Sequence, residues 1–431
     1  MFDNHRLAFA WVCLTNALAV TTFAAAPASQ RERVEQVTQL SGLVAFWDFV
    51  DREPDRQRRF VAHVPEGDER YPLDAANYVR DYWQQGREAT YDDFPLLGRG
   101  PFGQAVRIVK ESEPDFRPFL YVPRSRLHDT PLDIKGDARS VTVVVWAIRE
   151  SGNHALAGIW HEGTDLKQRE TAGIAKVERG QRQYALFAGL NYSGSACGHV
   201  SENGAGSFLN KYALHKCNSA AQVPAVSADS PADVLDHSWH CLAMTLDHST
   251  EQLTGWVDGN SDDRWLERPK RDGLIGSAYQ AYMQGYYAGV PGLQQGEDPS
   301  FPADQYYNPP EDTPVATKVL SESPTERTEQ REYAYTKVEL TLRRNAQGAW
   351  DETDRELIAL RLNPWWYPHS IYTPADDDTG GPFTIGRVIH SGRSVGFTGW
   401  IGGVAVFDRA LTSTELALLA GIAKQPMVSA P

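Results

Sequence analysis

The stretch GWIGGVAVFDRALTSTEL, residues 399–416, joins a strand pattern to the start of a helix. Residues 399–407 are apolar or glycine at every position, which is typical of a strand buried on both faces. Thr412, with Glu415 three residues later, forms a capping-box pattern ahead of Leu416, Leu418 and Leu419. The stretch therefore predicts a core strand of an all-β protein followed by a short C-terminal helix.

Further apolar runs are spread along the chain at residues 43–49 (LVAFWDF), 140–148 (SVTVVVWAI), 184–190 (YALFAGL), 239–246 (WHCLAMTL), 252–257 (QLTGWV) and 383–388 (FTIGRV). Strands that are apolar on both sides are expected where two sheets pack face to face. Asp258-Gly259 directly follows one run and is a turn dipeptide typical of an antiparallel hairpin. The runs predict an antiparallel β-sandwich with these residues in or near its core: Trp47, Val143, Val145, Met244 and Val404.

Three long segments, 51–100, 191–235 and 260–380, lack clear periodicity. Loops of such length are unusual inside a compact domain unless they build a site or an insertion. Segment 260–380 is rich in aromatic residues, unlike a polar linker, so we interpret it as a packed insertion. Within it, residues 339–342 and 357–362 are candidates for additional strands. We expect residues 29–431 to form one domain with long aromatic-rich loop insertions.

The first 28 residues have the pattern of an export signal. Arg6 precedes an apolar run over residues 7–23, and Ala26-Pro27-Ala28 supplies small residues for a signal peptidase. An N-terminal membrane anchor is the alternative, although the run is short for a bilayer span and is interrupted by Thr and Asn. We expect a mature chain that begins near Ser29, is secreted or periplasmic, and has no transmembrane segment.

Composition and charge restrict the partners. The 431 residues are 41% hydrophobic and 23% charged, which is ordinary for a globular protein. The formal net charge of −14 argues against nucleic acid as a partner. No CxxC or HxxxH spacing indicates a zinc site, and no required cofactor is expected.

Of the four cysteines, Cys13 lies in the predicted signal, and Cys197, Cys217 and Cys241 remain. In an oxidising compartment, a bridge between Cys197 and Cys217 would pin one long loop. Cys241 lies within an apolar run and is interpreted as a buried thiol. We expect the Cys197–Cys217 disulfide and a reduced Cys241.

The order of the runs resembles the laminin-G-like subgroup of the concanavalin A-like lectin/glucanase superfamily. The matching motifs are Trp239-His240, Val257-Asp258-Gly259 and the closing stretch from Gly399 to Leu411, spread over about half of the residues between 42 and 420. The resemblance implies a jelly-roll β-sandwich. It leaves function open, because that fold hosts lectins, hydrolases, lyases and adhesive modules.

The catalytic E-x-D-x-x-E signature of β-glucanases in this superfamily is absent. The nearest approach, residues 352–356 (ETDRE), has the wrong spacing and is interpreted as a solvated turn. A retaining glucanase of that type is therefore not expected.

A first candidate site lies between glycines in residues 198–212. It contains the polar residues His199, Glu202, Asn203, Lys211 and Tyr212. Glycine flanks let polar groups approach a ligand closely, and loops on a rigid sandwich are where binding groups usually lie. If the site is catalytic, His199 or Tyr212 is the candidate proton carrier and Lys211 neutralises charge. A polar surface loop tied by a disulfide is the alternative.

A second candidate site is residues 363–369 (NPWWYPH). Neighbouring strand residues point to opposite sides, so Trp365, Trp366 and Tyr367 cannot all be buried on one face. At least one ring should be exposed or stacked on another loop, where it would suit the face of a sugar. An aromatic cluster that caps the sandwich edge is the equally weighted alternative. We expect residues 198–212 and 363–369 to lie on one rim and form one glycan groove.

Two weaker candidates remain. The tyrosines of the insertion suit polar recognition or packing, and they are Tyr282, Tyr286, Tyr287, Tyr306 and Tyr307. Three successive carboxylates could contribute to a calcium site or form a solvated acidic turn, and they are Asp376, Asp377 and Asp378.

Together these observations favour a secreted protein that binds a polysaccharide or other glycan through aromatic and polar side chains. The alternative is a polysaccharide-degrading enzyme, a lyase or glycoside hydrolase, on the same fold. A structural surface protein that binds other proteins fits the acidic charge but leaves the aromatic loops unexplained.

Overall fold

Strand is the dominant secondary structure in the part of the chain that the computed structural model describes, which is residues 29–53, 56–65, 70–77, 80, 86–111, 116–161, 181–190, 192–202, 204, 216–269, 282, 307–377, 380–388 and 396–429. The strands are β1 (Leu43–Trp47), β2 (Arg52–Glu53), β3 (Arg56–Phe60), β4 (Asp74–Asn77), β5 (Leu96–Leu97), β6 (Arg99–Gly100), β7 (Ala105–Ile108), β8 (Pro118–Val122), β9 (Val141–Ser151), β10 (Ala155–His161), β11 (Gln181–Phe187), β12 (Cys197–Val200), β13 (His240–Asp247), β14 (Gln252–Val257), β15 (Arg264–Glu267), β16 (Ala316–Glu322), β17 (Glu326–Glu332), β18 (Thr336–Arg344), β19 (Trp350–Asn363), β20 (Trp365–Trp366), β21 (Phe383–Ile385), β22 (Thr398–Phe407) and β23 (Val428–Ser429). The described helices are α1 (Gln30–Thr38), α2 (Arg124–Leu127), α3 (Ala232–Asp236) and α4 (Ser413–Lys424). Short two-stranded pairs also form, β2 with β3 and β23 with β6.

Two antiparallel sheets build the sandwich, as predicted. One has eight strands in the order β20-β14-β13-β9-β22-β7-β5, with β1 also paired to β22. The other has six strands in the order β12-β11-β10-β21-β8-β4. The inner faces share one hydrophobic core, and all five residues predicted for it are 0% exposed: Trp47, Val143, Val145, Met244 and Val404.

The apolar character of β9 on both sides has a structural cause. Val143 and Val145 point into the core between the sheets, whereas Val144 and Trp146 belong to a second cluster on the outer face. Helix α4 covers that outer face through Leu416 and other residues. Thr412 and Glu415 form the predicted capping box at the start of α4. The helix therefore closes a sheet face that would otherwise be an exposed apolar surface.

The insertion contributes a third sheet of five strands in the order β15-β19-β18-β17-β16. The predicted additional strands at 339–342 and 357–362 are confirmed, since they lie within β18 and β19. Inward-facing residues of these strands, such as Leu340 and Leu360, join the core cluster of the sandwich. Residues 352–356 are part of β19, so the interpretation as a turn is wrong. Cross-strand pairing with β18 holds them extended.

The predicted Cys197–Cys217 disulfide is wrong in this structure, because both residues are free thiols. A Cβ placed on Gly198 would lie 3.0 Å from the Cys217 sulfur, so that sulfur lies on the Gly198 side of β12. Cys197 precedes Gly198 on the strand and points to the opposite face, where it packs in a separate cluster. Cys241 is a buried thiol, as predicted.

Among the described helices, none has both the length and the apolar character needed to cross a bilayer.

Candidate functional site

His199 lies within β12 on the outer face of the six-stranded sheet, rather than in a loop as predicted. Its ring centroid is 4.7 Å from that of Phe187 and 5.1 Å from that of Trp160. The residue is 1% exposed. His199 is therefore enclosed by aromatic rings, and a polymer cannot reach its ring in this conformation.

Two cationic residues, Arg182 and Lys216, belong to the strands and bridge beside His199. The Arg182 guanidinium lies 5.8 Å from the Trp160 ring centroid, and Lys216 forms a backbone bridge with His199. Strand β10, which is the second strand from β12, has a glycine at position 158 because a Cβ there would lie 2.4 Å from the Ala185 Cα. An outer sheet face is usually polar and solvated, whereas this one is polar, aromatic and buried. We call Trp160, Arg182, Phe187, His199 and Lys216 the His199 face.

The two candidate loops meet at Glu202 and His369. The Glu202 Oε2 atom lies 2.7 Å from the His369 Nδ1 atom, and both side chains are partly exposed, at 14% and 22%. The Tyr372 amide also donates a hydrogen bond to the Ser201 carbonyl at 2.8 Å. These contacts join the described end of the first segment to the second, whereas residues 203 and 205–212 lie outside the described residues, so the shared rim stays a prediction. A shared glycan groove stays a prediction.

The three adjacent rings have different environments. Trp365 is buried and stacks on Tyr307 at a centroid distance of 4.1 Å, and Tyr367 is 0% exposed. These two rings offer no free face to a sugar, so their interpretation as glycan platforms is wrong and they cap the sandwich edge. Trp366 is half-buried and donates its indole N–H to Glu251 at 2.8 Å. It is the ring of the three that remains accessible.

Several candidates lie outside the described residues, namely Asn203, Lys211, Tyr212, Tyr286, Tyr287, Tyr306 and Asp378. Tyr282 and Tyr307 are described, and both are buried in the core cluster. The Tyr282 hydroxyl donates to Glu311 at 2.9 Å. These two tyrosines therefore pack the insertion, which was the alternative to a role in polar recognition.

Of the carboxylates proposed for calcium, Asp377 already contacts basic side chains. Asp377 lies 2.9 Å from the His128 Nδ1 atom and 3.4 Å from the Arg124 Nε atom. Asp376 is exposed. Since a guanidinium already lies beside Asp377, a cation there would have to overcome its charge. Calcium at this loop stays a prediction, and these contacts do not favour it.

Another group with potential metal ligands was missed in the sequence. Asp48, Asp51 and His63 place one ligand atom each within 4.8 Å of one another, and no other trio in the described part of the chain does so. Burial raises the pKa of Asp48, and the interaction of the His63 ring with the Asp51 carboxylate raises the pKa of His63. Arg70 pairs with Asp51 and supplies positive charge to the group. The sequence signal was an aspartate directly after the apolar run LVAFW, which sequence spacing alone does not connect to His63.

Comparisons with known proteins assign no family. No protein-family profile matches the chain, and no curated protein matches it. Among solved structures, the chain is similar to domain 4 of AbnA, a GH43 extracellular arabinanase from Geobacillus stearothermophilus, in complex with arabinotriose, with a TM-score of 0.37, 9% identity, and coverage of 88% of this chain and 98% of that chain. It is also similar to the binding domain of Paraclostridial Mosquitocidal Protein 1, with a TM-score of 0.34, 8% identity, and coverage of 88% and 52%. For Trypanosoma rangeli sialidase in complex with sialic acid, the TM-score is 0.31, the identity 10%, and the coverage 90% and 37%. Similarity this low carries no argument about what this chain binds.

Proposed function

We propose that this protein binds a glycan at the rim where the two candidate loops meet. The contact between Glu202 and His369 carries the proposal, because it joins segments far apart in the sequence into one partly exposed polar surface. Trp366 lies three residues before His369 and is held by Glu251. We call Glu202, Glu251, Trp366 and His369 the rim patch.

The chemistry of the rim patch suits a sugar. Carboxylates accept hydrogen bonds from hydroxyl groups, and an imidazole can donate or accept one. An indole ring can cover the apolar face of a pyranose while its N–H stays bonded, as that of Trp366 is to Glu251. The accessible aromatic surface is one ring, so the contact area is small and binding of single sugar units should be weak.

Affinity electrophoresis through gels that contain soluble polysaccharides tests this proposal. The protein should be retarded by at least one glycan, and Trp366→Ala should weaken that retention by about tenfold, as expected for loss of an aromatic anchor. Trp350→Ala is the matched control, since Trp350 is also partly exposed but lies on the third sheet beside Arg327 and Arg344. Equal retention of the wild type and both variants would refute the assignment of the rim patch.

A second candidate function is cleavage of the bound glycan. The observation that favours it is the carboxylate of Glu202 oriented against the His369 imidazole, the arrangement that positions a general base. Among the described candidates, His369 is a better proton carrier than the enclosed His199. Release of reducing or unsaturated ends from a retained polysaccharide would distinguish an enzyme from a lectin.

We further propose that the protein is exported with a mature N-terminus near Ser29 and belongs to the laminin-G-like group. Mass analysis of secreted material tests the first point, and intact Met1 there would contradict it. The second point rests on Trp239-His240, Val257-Asp258-Gly259 and the closing stretch, which occupy β13, β14 and β22 and their flanking turns.

A further inference from the structure

A cavity lies at the edge of the sandwich formed by β5 and the β2–β3 hairpin. Its volume is about 290 Å³, and its lining residues are Arg52, Phe60, Tyr91, Asp92, Phe94, Pro95 and Leu96. Sites for small molecules span about 300–1,000 Å³, so this cavity has room for one ring and not for an oligomer. Its walls are mainly aromatic and aliphatic.

Arg52 is the cation of this cavity, and its guanidinium is held in a defined orientation. The guanidinium carbon lies 3.9 Å from the Phe60 ring centroid. The Nη1 atom donates to the carbonyls of Phe49 and Asp51. No hydrogen bond joins Nε or Nη2 to another described residue, so the edge that these two nitrogens form is available to a ligand in this part of the chain. That edge is the one that binds a carboxylate through two parallel hydrogen bonds.

No carboxylate in the described part of the chain forms an ion pair with Arg52, whose contacts there are the two carbonyls and the Phe60 ring. The neighbouring acidic groups have other partners. Asp51 pairs with Arg70 and His63, and Asp48 accepts hydrogen bonds from the amides of Val50 and Asp51. The Arg52 side chain is partly buried, and the charges of Asp48 and Asp51 offset only part of the cost of desolvating its guanidinium. An anion in the cavity would relieve that cost.

Asp92 is the acidic residue of the cavity wall. It is exposed, so water and salt screen its repulsion of an anion. Its carboxylate is also an acceptor for hydroxyl groups. A ligand that suits both Arg52 and Asp92 carries a carboxylate and hydroxyls on one ring.

We propose that the Arg52 cavity binds a single acidic sugar, a hexuronate, with its carboxylate on the Nε–Nη2 edge of Arg52 and its ring beside the more exposed wall residues Tyr91 and Pro95. The cavity is distinct from the rim patch. Strand β5 ends the eight-stranded sheet on one side, whereas β20, which contains Trp366, ends it on the other. The proposal therefore does not depend on glycan binding at the rim.

Isothermal titration of the full chain with glucuronate, glucose and acetate tests the proposal. Glucuronate should bind at least about tenfold more tightly than either glucose or acetate, since each lacks one half of the contacts. Leu96→Glu should weaken glucuronate binding severalfold by placing a carboxylate at the mouth. Leu96→Gln is the matched neutral control and should bind like the wild type. Leu96 is 53% exposed, so neither change should disturb folding.

Arg52→Gln should reduce glucuronate affinity by about tenfold or more, and Trp366→Ala should leave it unchanged. Glucose or acetate binding as tightly as glucuronate would overturn the proposal. So would absence of saturable glucuronate binding, or an equal effect of Leu96→Glu and Leu96→Gln. Loss of glucuronate binding in Trp366→Ala alone would assign the ligand to the rim patch instead.

Discussion

Tyr307 of the insertion stacks on Trp365 at the edge of the eight-stranded sheet, with ring planes inclined by 20°. Both residues are buried, at 3% exposed. The stack explains why Trp365 is not a platform for sugars, since its face is already covered by another part of the chain. It also links the insertion to the sandwich.

Tyr307→Ala should therefore lower the free energy of unfolding by about 3 kcal/mol, as for other large-to-small changes of buried aromatic residues. Tyr307→Phe keeps the ring and removes a buried hydroxyl that has no hydrogen-bond partner among the described residues, so it should leave the free energy of unfolding unchanged or slightly higher. Chemical denaturation monitored by tryptophan fluorescence measures both. A Tyr307→Ala variant as stable as the wild type would show that the stack does not hold the insertion.

His161 should make stability sensitive to mild acid. Burial, with a smaller contribution from Arg182, lowers the pKa of His161 to about 4. As the pH falls below about 6.5, His161 is protonated in the unfolded chain but stays neutral in the folded chain. The free energy of unfolding is therefore unaffected by His161 above pH 6.5 and decreases as the pH falls toward about 4. The wild type should lose roughly 3 kcal/mol more than His161→Gln between pH 7 and pH 4. His237→Gln, at an exposed position, is the control and should follow the wild type.

All three cysteines beyond the predicted signal should react with a thiol reagent after unfolding without reductant, because none is bridged. In the native protein none should react, since burial raises the pKa of the Cys197 thiol to about 12 and reagents have no access. Peptide mapping of the labelled sites gives the result. Labelling of Cys241 alone would show that Cys197 and Cys217 form a disulfide.

The His369 side chain should decide between the two functions of the rim patch. In an enzyme, His369→Gln should keep most retention on the glycan and reduce cleavage by 10²-fold or more, roughly the contribution of a general base. Glu202→Gln should reduce cleavage less, because the imidazole itself remains. If no form of the protein cleaves a glycan that it retains, the rim patch is a lectin site.

The fold could be predicted from the sequence because a strand that is buried on both faces has apolar side chains at consecutive positions. Residues 140–148 and 399–407 are apolar at nearly every position, and both became central strands covered by a second sheet and by α4. The capping box at Thr412 involves only neighbours in the chain, so its pattern was sufficient to place the helix start.

Site residues were less predictable, because exposure depends on segments distant in the sequence. Nothing near Trp365 indicates that Tyr307 covers its ring, and nothing near His199 indicates that Trp160 and Phe187 enclose it. The disulfide failed for a related reason. Cysteine spacing is compatible with a bridge, but the side chains of Cys197 and Cys217 pack on different faces of β12.

The sequence by itself determined the class of the fold, the positions of the core strands and the C-terminal helix, because these follow from local periodicity and capping. Only the tertiary structure decided which polar and aromatic side chains meet. It placed Glu202 beside His369, buried two of the three rings, and placed Arg52 in the wall of a cavity. Such contacts depend on the packing of whole strands, which no short stretch of sequence encodes.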